Sequence, residues 1–358
     1  MRMVKKCLLL SLLLLSMIGV QAVEAAKLQK IPAGWMGAQE TFPIWYAKQQ
    51  GWDKKLGLDI ELVYFNSGMD AMNTLPAKTW VIAGMGALPA MIGALRQDIY
   101  VIADCNEEAS ANAVMVRKDS PILKNKGFNK AYPEVYGSPE SVKGKTVLTT
   151  AVSSAHYALV AWLKTLGLSE KDIVLKNMDQ ASALAAFDYG IGDIVALWAP
   201  LTFVGNNRGW RDAATLKNCG VSLPIVMVAD KSFADDNPEV VAKFLYLYIR
   251  AAEAVKKMPN DKLIPIYLRF YSEWTGAEYD TRLAELDIAS HPLFTIEELL
   301  RVYDDSAGPS MAQRRQANIA KFFHQAGKIT DSELAKVEKS AYVTNKFLKL
   351  ATKIQLPE

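Results

Sequence analysis

Three short runs of small and hydroxylated residues stand where strand-like segments give way to helical ones. They are Ser67-Gly68-Met69 after LDIELVYF, Gly86-Ala87-Leu88 after VIAGM, and Ser153-Ser154-Ala155-His156 after KTVLTT. A helix N-terminus carries unpaired backbone N–H groups and a partial positive charge, so each junction could seat the oxygens of a small anion. Gly68, Gly86 and Ala87 let backbone approach closely, and Ser67, Ser153 and Ser154 add hydroxyl donors. The same serines serve as N-caps of their own helices, and one of Ser153 and Ser154 could do both. His156 falls in the first turn of its helix, placed either to donate to an anion or to bond a neighbouring loop. Trp198 ends a strand-like run and could cover an apolar or cationic part of a ligand. An anion site avoids unpaired buried carboxylates, so Glu40 in the first loop and Asp193 before that run bear on the ligand's charge. Glu40 is otherwise a solvated side chain, and Asp193 otherwise caps the turn at 190–192. Asn112, Glu107 and Glu108 are further polar candidates.

Other chemistries find no support in the residues. His156, His291 and His324 are not spaced as a metal site, and no nucleophile–base pair or phosphate loop is readable, so neither an enzyme nor a cofactor is expected. Cys105 and Cys219 remain once the first segment is removed. In an oxidising compartment such a pair suggests a disulfide; two separate buried thiols are the alternative.

Residues 1–26 read as a cleaved export signal. Arg2, Lys5 and Lys6 precede an apolar stretch from Leu8 to Val20, and small-x-small sites end at Ala22, Ala25 or Ala26. Cys7 precedes the apolar run, which excludes a lipoprotein cysteine at the cleavage point. Removing three bases and one acid, Glu24, lowers the net charge from +3 to +1. That balance gives no reason to expect nucleic acid as a partner. About 332 residues remain, comfortable for two cores.

Strand-like and helical runs alternate from Lys27 to about Asp230, which argues for mainly parallel α/β sheets. Leu58 to Phe65, Trp80 to Met85 and Tyr100 to Ala103 are strands of a first set. Lys145 to Thr150, Asp172 to Asn177 and Ile194 to Trp198 belong to a second. Pro121 to Pro139 reads as a surface loop. From Pro238 the pattern turns helical, with runs at 239–257, 263–274, 295–304, 311–326 and 331–351. Ala111 to Arg117 and Leu223 to Ala229 flank the second set as strands. Two such crossings would hinge two lobes around one cleft, although two sequential domains would leave the same pattern.

Eight short motifs in one order, each weak alone, carry a resemblance to a known family. They run from GWMGAQETFPIWYA at 34–47 through QGW at 50–52, LGLDI at 56–60, FNSG at 65–68 and IAGMG at 82–86. KDSP at 118–121 with VKGK at 142–145, SSAHY at 153–157 and LWAP at 197–200 complete the series. The chain resembles the nitrate/sulfonate/taurine-type substrate-binding proteins of ABC transporters. The resemblance implies an α/β fold of two Rossmann-like lobes joined by a two-strand hinge (periplasmic binding protein type II), with a helical C-terminal tail. Residues 27–115 would open lobe 1, 116–222 form lobe 2, and 223–358 return to lobe 1. It implies a soluble, monomeric periplasmic receptor that passes a small organic anion or zwitterion to the permease and ATPase of an importer. In taurine-binding relatives carboxylates hold the ammonium group, a role that would fall to Asp193 and Glu40, while Ser153, Ser154 and His156 would line the cleft. A pyrimidine-type ligand, or a catalytic relative on the same fold, is the alternative.

Overall fold

The computed structural model describes residues 28–325, 327–339 and 341–357. The export signal expected at 1–26 lies outside them. Among the described residues ten strands form two five-stranded sheets. The first holds β1 (Gln29–Met36), β2 (Leu58–Phe65), β3 (Ile82–Gly86), β4 (Ile99–Glu107) and β10 (Pro224–Asp230), in the order β2-β1-β3-β10-β4. The second holds β5 (Asn112–Val116), β6 (Thr146–Thr149), β7 (Val174–Asn177), β8 (Ile194–Trp198) and β9 (Arg211–Thr215), in the order β7-β6-β8-β5-β9. In each sheet the leading strands run parallel, and one strand that has just crossed between sheets lies antiparallel in the fourth place. Those two strands, β5 and β10, are buried along their whole length. They read as unbroken apolar runs because helices cover both faces of their sheets.

β5 belongs to the second sheet, so the first crossing spans residues 108–111 rather than 115/116. The return crossing spans 216–223. Backbone bonds stitch the two together: Glu108 N–H donates to Leu223 O at 2.9 Å and Lys217 N–H to Ala109 O at 3.0 Å. The Glu107 carboxylate accepts from Leu223 N–H and the Ser222 hydroxyl, both at 2.7 Å. Glu107 is thus spent on the hinge. Cys105 and Cys219 are both free and buried, the alternative of two separate thiols rather than the disulfide. Cys105 lies on β4 of the first sheet and Cys219 in the loop after β9 of the second, each closed in by its own surroundings.

The helical tail returns to the first lobe. It contains a helix at Thr281–Ser290 that the periodicity did not announce, and the run expected at 331–351 is broken into Asp331–Glu338 and Lys346–Ala351. The break has a cause in Tyr342-Val343-Thr344, a β-favouring triplet. Val343 bridges to Val101 on the edge strand β4, with Val101 N–H donating to Tyr342 O at 2.8 Å. Pairing there covers the sheet edge. Further along the same edge Leu293 bridges to Asn106, which draws the residues before it to the hinge. The 121–139 segment contains a short helical turn at Pro121–Lys124 and buries Ile122 and Val135.

Candidate functional site

Where the lobes, the hinge and the tail meet, a small cavity is enclosed by Met36, Ala38, Glu40, Ser67, Gly68, Gly86, Pro89, Glu108, Ser153, Ser154, Trp198, Ala199, Ile225 and His291. β1 ends beside it and leads into a helical turn at Gln39–Thr41 that carries Glu40. The Thr41 hydroxyl donates to Met36 O at 2.7 Å and the Tyr248 hydroxyl to Glu40 O at 2.9 Å, which fixes that turn. The Glu40 carboxylate has no hydrogen-bond or ion-pair partner on another described residue. Burial pushes its pKa up to about 7, helped by the charge of Glu108.

Glu108 occupies the hinge crossing. Its carboxylate accepts from the Ser154 hydroxyl of the second lobe at 2.5 Å. Burial lifts this carboxyl to about 7 as well, against the opposing effect of hydrogen bonds from Ser154 and Asn112. His291 arrives from the tail, held by the Leu293–Asn106 bridge. Its Nδ1 lies 2.8 Å from Asp287 O and 3.1 Å from Asp287 Oδ1. The other oxygen of Asp287 accepts from the Tyr267 and Tyr271 hydroxyls at 2.7 and 2.6 Å. Burial works against an imidazolium here, but Asp287 outweighs it and the pKa rises to about 9. His291 is therefore a buried cation at neutral pH, with Nδ1 donating to Asp287 and Nε2 free of any described partner.

Two helices of ten and twelve residues, Ala87–Arg96 and Ser154–Thr165, begin at the cavity. Gly86 supplies no capping side chain, which leaves first-turn amides open. Gly86 also admits the second lobe: a Cβ there would sit 2.7 Å from the Ser154 oxygen. Among the described residues no lysine or arginine lines the cavity. The wall thus combines two carboxyls, one imidazolium, hydroxyls and two positive helix ends.

A model of the NMT1-like family matches residues 24–265. The chain belongs to the NMT1-like family. A protein of Brachyspira hyodysenteriae named as an ABC transporter periplasmic binding protein is 25% identical over 299 residues, covering 83% of this chain and 83% of the relative. The taurine-binding periplasmic protein of Escherichia coli is 24% identical over 212 residues, 58% of this chain and 61% of that protein. Among solved structures, the alkanesulfonate-binding protein SsuA of Xanthomonas axonopodis pv. citri, bound to MOPS, superposes with a TM-score of 0.70. It is 18% identical and covers 89% of this chain and 99% of its own. The nitrate-binding protein NrtA of Synechocystis gives 0.67 at 13% identity, covering 93% and 91%. The two mixed sheets with a helical C-terminal region are the periplasmic binding protein fold. Among the described residues no helix is long and apolar enough to cross a membrane, and no group of three or more His, Cys, Asp or Glu could hold a metal ion.

In this NMT1-like chain the cavity brings together eight of the residues singled out from the sequence: Glu40, Ser67, Gly68, Gly86, Glu108, Ser153, Ser154 and Trp198. Ser67 and Ser153 also cap their helices, accepting from Asp70 N–H at 3.1 Å and His156 N–H at 3.2 Å. Ala87 lies behind Gly86, fully buried, and Asn112 supports the hinge by donating to Glu108 O at 2.9 Å. Neither reaches the wall. His156 turns away. Its Nδ1 accepts from Val152 N–H at 3.0 Å, and Nε2 donates to Glu170 at 2.9 Å. Two residues apart on a helix, Ser154 and His156 point to opposite sides. Asp193 is at the wrong end of β8, where it accepts from Thr146 N–H at 2.9 Å and faces Lys145 at 3.7 Å. Five residues of strand separate it from Trp198 by about 16 Å. His291 is the residue that the sequence did not reveal as part of the site. Its i,i+4 partnership with Asp287 is a local signal, but its delivery to the hinge depends on the tail pairing with β4.

Proposed function

We propose that this chain is the extracytoplasmic solute receptor of an ABC importer and that its cleft takes a small zwitterion, taurine-like or amino-acid-like. The observation that carries the ligand class is the pairing of Glu40 and Glu108 in a cavity that no described lysine or arginine lines. A bare anion would be repelled by the ionised forms of two carboxyls whose burial already pushes them up to about 7. An ammonium group offers what the partnerless Glu40 lacks. The ligand's acidic end would then face the helix ends at Gly86 and Ser154 and the free Nε2 of His291. Binding without chemistry suffices: the open receptor captures the solute, the hinge at 108–111 and 216–223 closes, and permease and ATPase subunits receive the closed form. The named periplasmic relatives support export and this partnership.

Isothermal titration with taurine, ethanesulfonate, nitrate and an aminopyrimidine separates the readings. Taurine is expected to bind at least tenfold more tightly than ethanesulfonate, which differs chiefly by lacking the amine. Equal or tighter binding of ethanesulfonate or nitrate would overturn the zwitterion. Preference for the aminopyrimidine would transfer the carboxyls to a heterocycle.

A further inference from the structure

The cleft has a second compartment. Met36 and Trp198 line both the cavity described above and an outer chamber beyond it. The inner volume is about 30 Å³ and the outer about 210 Å³. The divider is fixed from both sides. The Trp274 indole N–H donates to Met36 O at 2.8 Å, and Trp198 N–H donates to the Gln180 side-chain oxygen at 2.7 Å. Both lobes and the tail contribute walls to the outer chamber, so it is formed only with the lobes together.

The outer walls carry hydrogen-bond donors without protein partners. The Tyr64 and Tyr279 hydroxyls, the Asn66 amide and the Trp198 indole N–H bond to no other described residue. Burial raises both tyrosines above the ordinary phenol range, which keeps them neutral donors. Asp179 at the rim is exposed and caps its own helix through Ser182 N–H at 2.9 Å. Its charge discourages an acidic group there.

Resting on the zwitterion reading of the inner cavity, we infer that the outer chamber is a second ligand subsite. It takes the neutral, oxygen-bearing far end of an elongated zwitterion whose charged head lies past Trp198. The head occupies the inner space, and the arm passes Met36 and Trp198 to meet the tyrosine hydroxyls. The test uses the full chain and two probes: taurine, and 2-(2-hydroxyethylamino)ethanesulfonate, which is the same head with a hydroxyethyl arm. The arm is expected to tighten binding at least fivefold. The double variant Tyr279→Phe with Asn66→Ala is expected to abolish that advantage and to leave taurine affinity within twofold of the parent. If taurine binds and the extended probe binds no better, or both probes lose affinity equally in the variant, the subsite is overturned alone. If neither probe binds the parent protein, the zwitterion reading falls and the subsite falls with it.

Discussion

Glu40 shows most directly how function and stability oppose each other in this cleft. Its carboxyl is buried without a hydrogen-bond or ion-pair partner on another described residue, and burial pushes its pKa up to about 7 from 4.5. The folded protein therefore binds more protons than the unfolded chain between those values, so this residue's contribution to stability declines as pH rises from about 4.5 to about 7. Glu40→Gln removes that loss. It is expected to raise the melting temperature at pH 8, with the gain vanishing near pH 4.5, while taurine affinity falls at least tenfold. Melting curves at the two pH values and one titration check both halves. An unchanged affinity would remove Glu40 from the ligand's ammonium. His291 runs in the opposite direction. Its pKa is raised from 6.5 to about 9, so its stabilisation is full below 6.5 and disappears as pH climbs through 9. His291→Gln keeps a donor but not the charge, and should weaken an acidic ligand while leaving a neutral amine unaffected. Protons compete with an ammonium for Glu40 and Glu108, so affinity for an amino-bearing ligand should increase from pH 6 to pH 8.

At the scale of elements, the helix beginning after Gly86 and the one beginning at Ser154 come from different lobes and meet tip to tip. An added Cβ at residue 86 would meet the Ser154 oxygen at 2.7 Å, and Ser154 can swing aside only by giving up Glu108. Gly86→Ala is expected to weaken ligand binding five- to tenfold. In a Ser154→Ala background the same change should cost little, because the obstructing oxygen is gone. Additive losses in that double-mutant cycle would place the clash elsewhere. These junctions were legible in the sequence because small residues after a strand and before a helix report a local geometry. Strand and helix runs are legible for the same reason, as are the two crossing strands from their apolar composition, whereas their antiparallel direction is not. What failed was direction. Asp193 stands close to Trp198 along the chain, but strand β8 carries the two to opposite ends of the sheet. Of the two roles open to His156, bonding a neighbouring loop is the one it takes, because Ser154 uses the helix face toward the cleft. His291 stood over 180 residues from Glu108, and nothing local tells that Leu293 pairs with β4.

At the scale of the whole molecule, the lobes also meet outside the cleft. Tyr157 of the second lobe packs edge-on against Phe322 at 4.7 Å and tilted against Phe323 at 5.4 Å, both on the tail helix Met311–Gln325. Lys328 bonds Glu170 at 2.9 Å beside them, and Glu170 also receives His156. This is what His156 does in place of touching ligand: it orients the acid that joins the lobes. Each aromatic pair is worth about 0.5–1.5 kcal/mol beyond its buried area, and all of it exists only with the lobes together. Removing about 2 kcal/mol from the closed form alone shifts the open–closed ratio by roughly thirtyfold. Tyr157→Ala should therefore lower ligand affinity by an order of magnitude or more without touching the cavity. Small-angle scattering of the variant without ligand should show a larger radius of gyration than the parent. Saturating ligand should bring the two radii together, since binding energy replaces what the aromatic contact supplied. A variant with parental radius and parental affinity would show that closure is governed at the cleft alone, through Ser154 and Glu108.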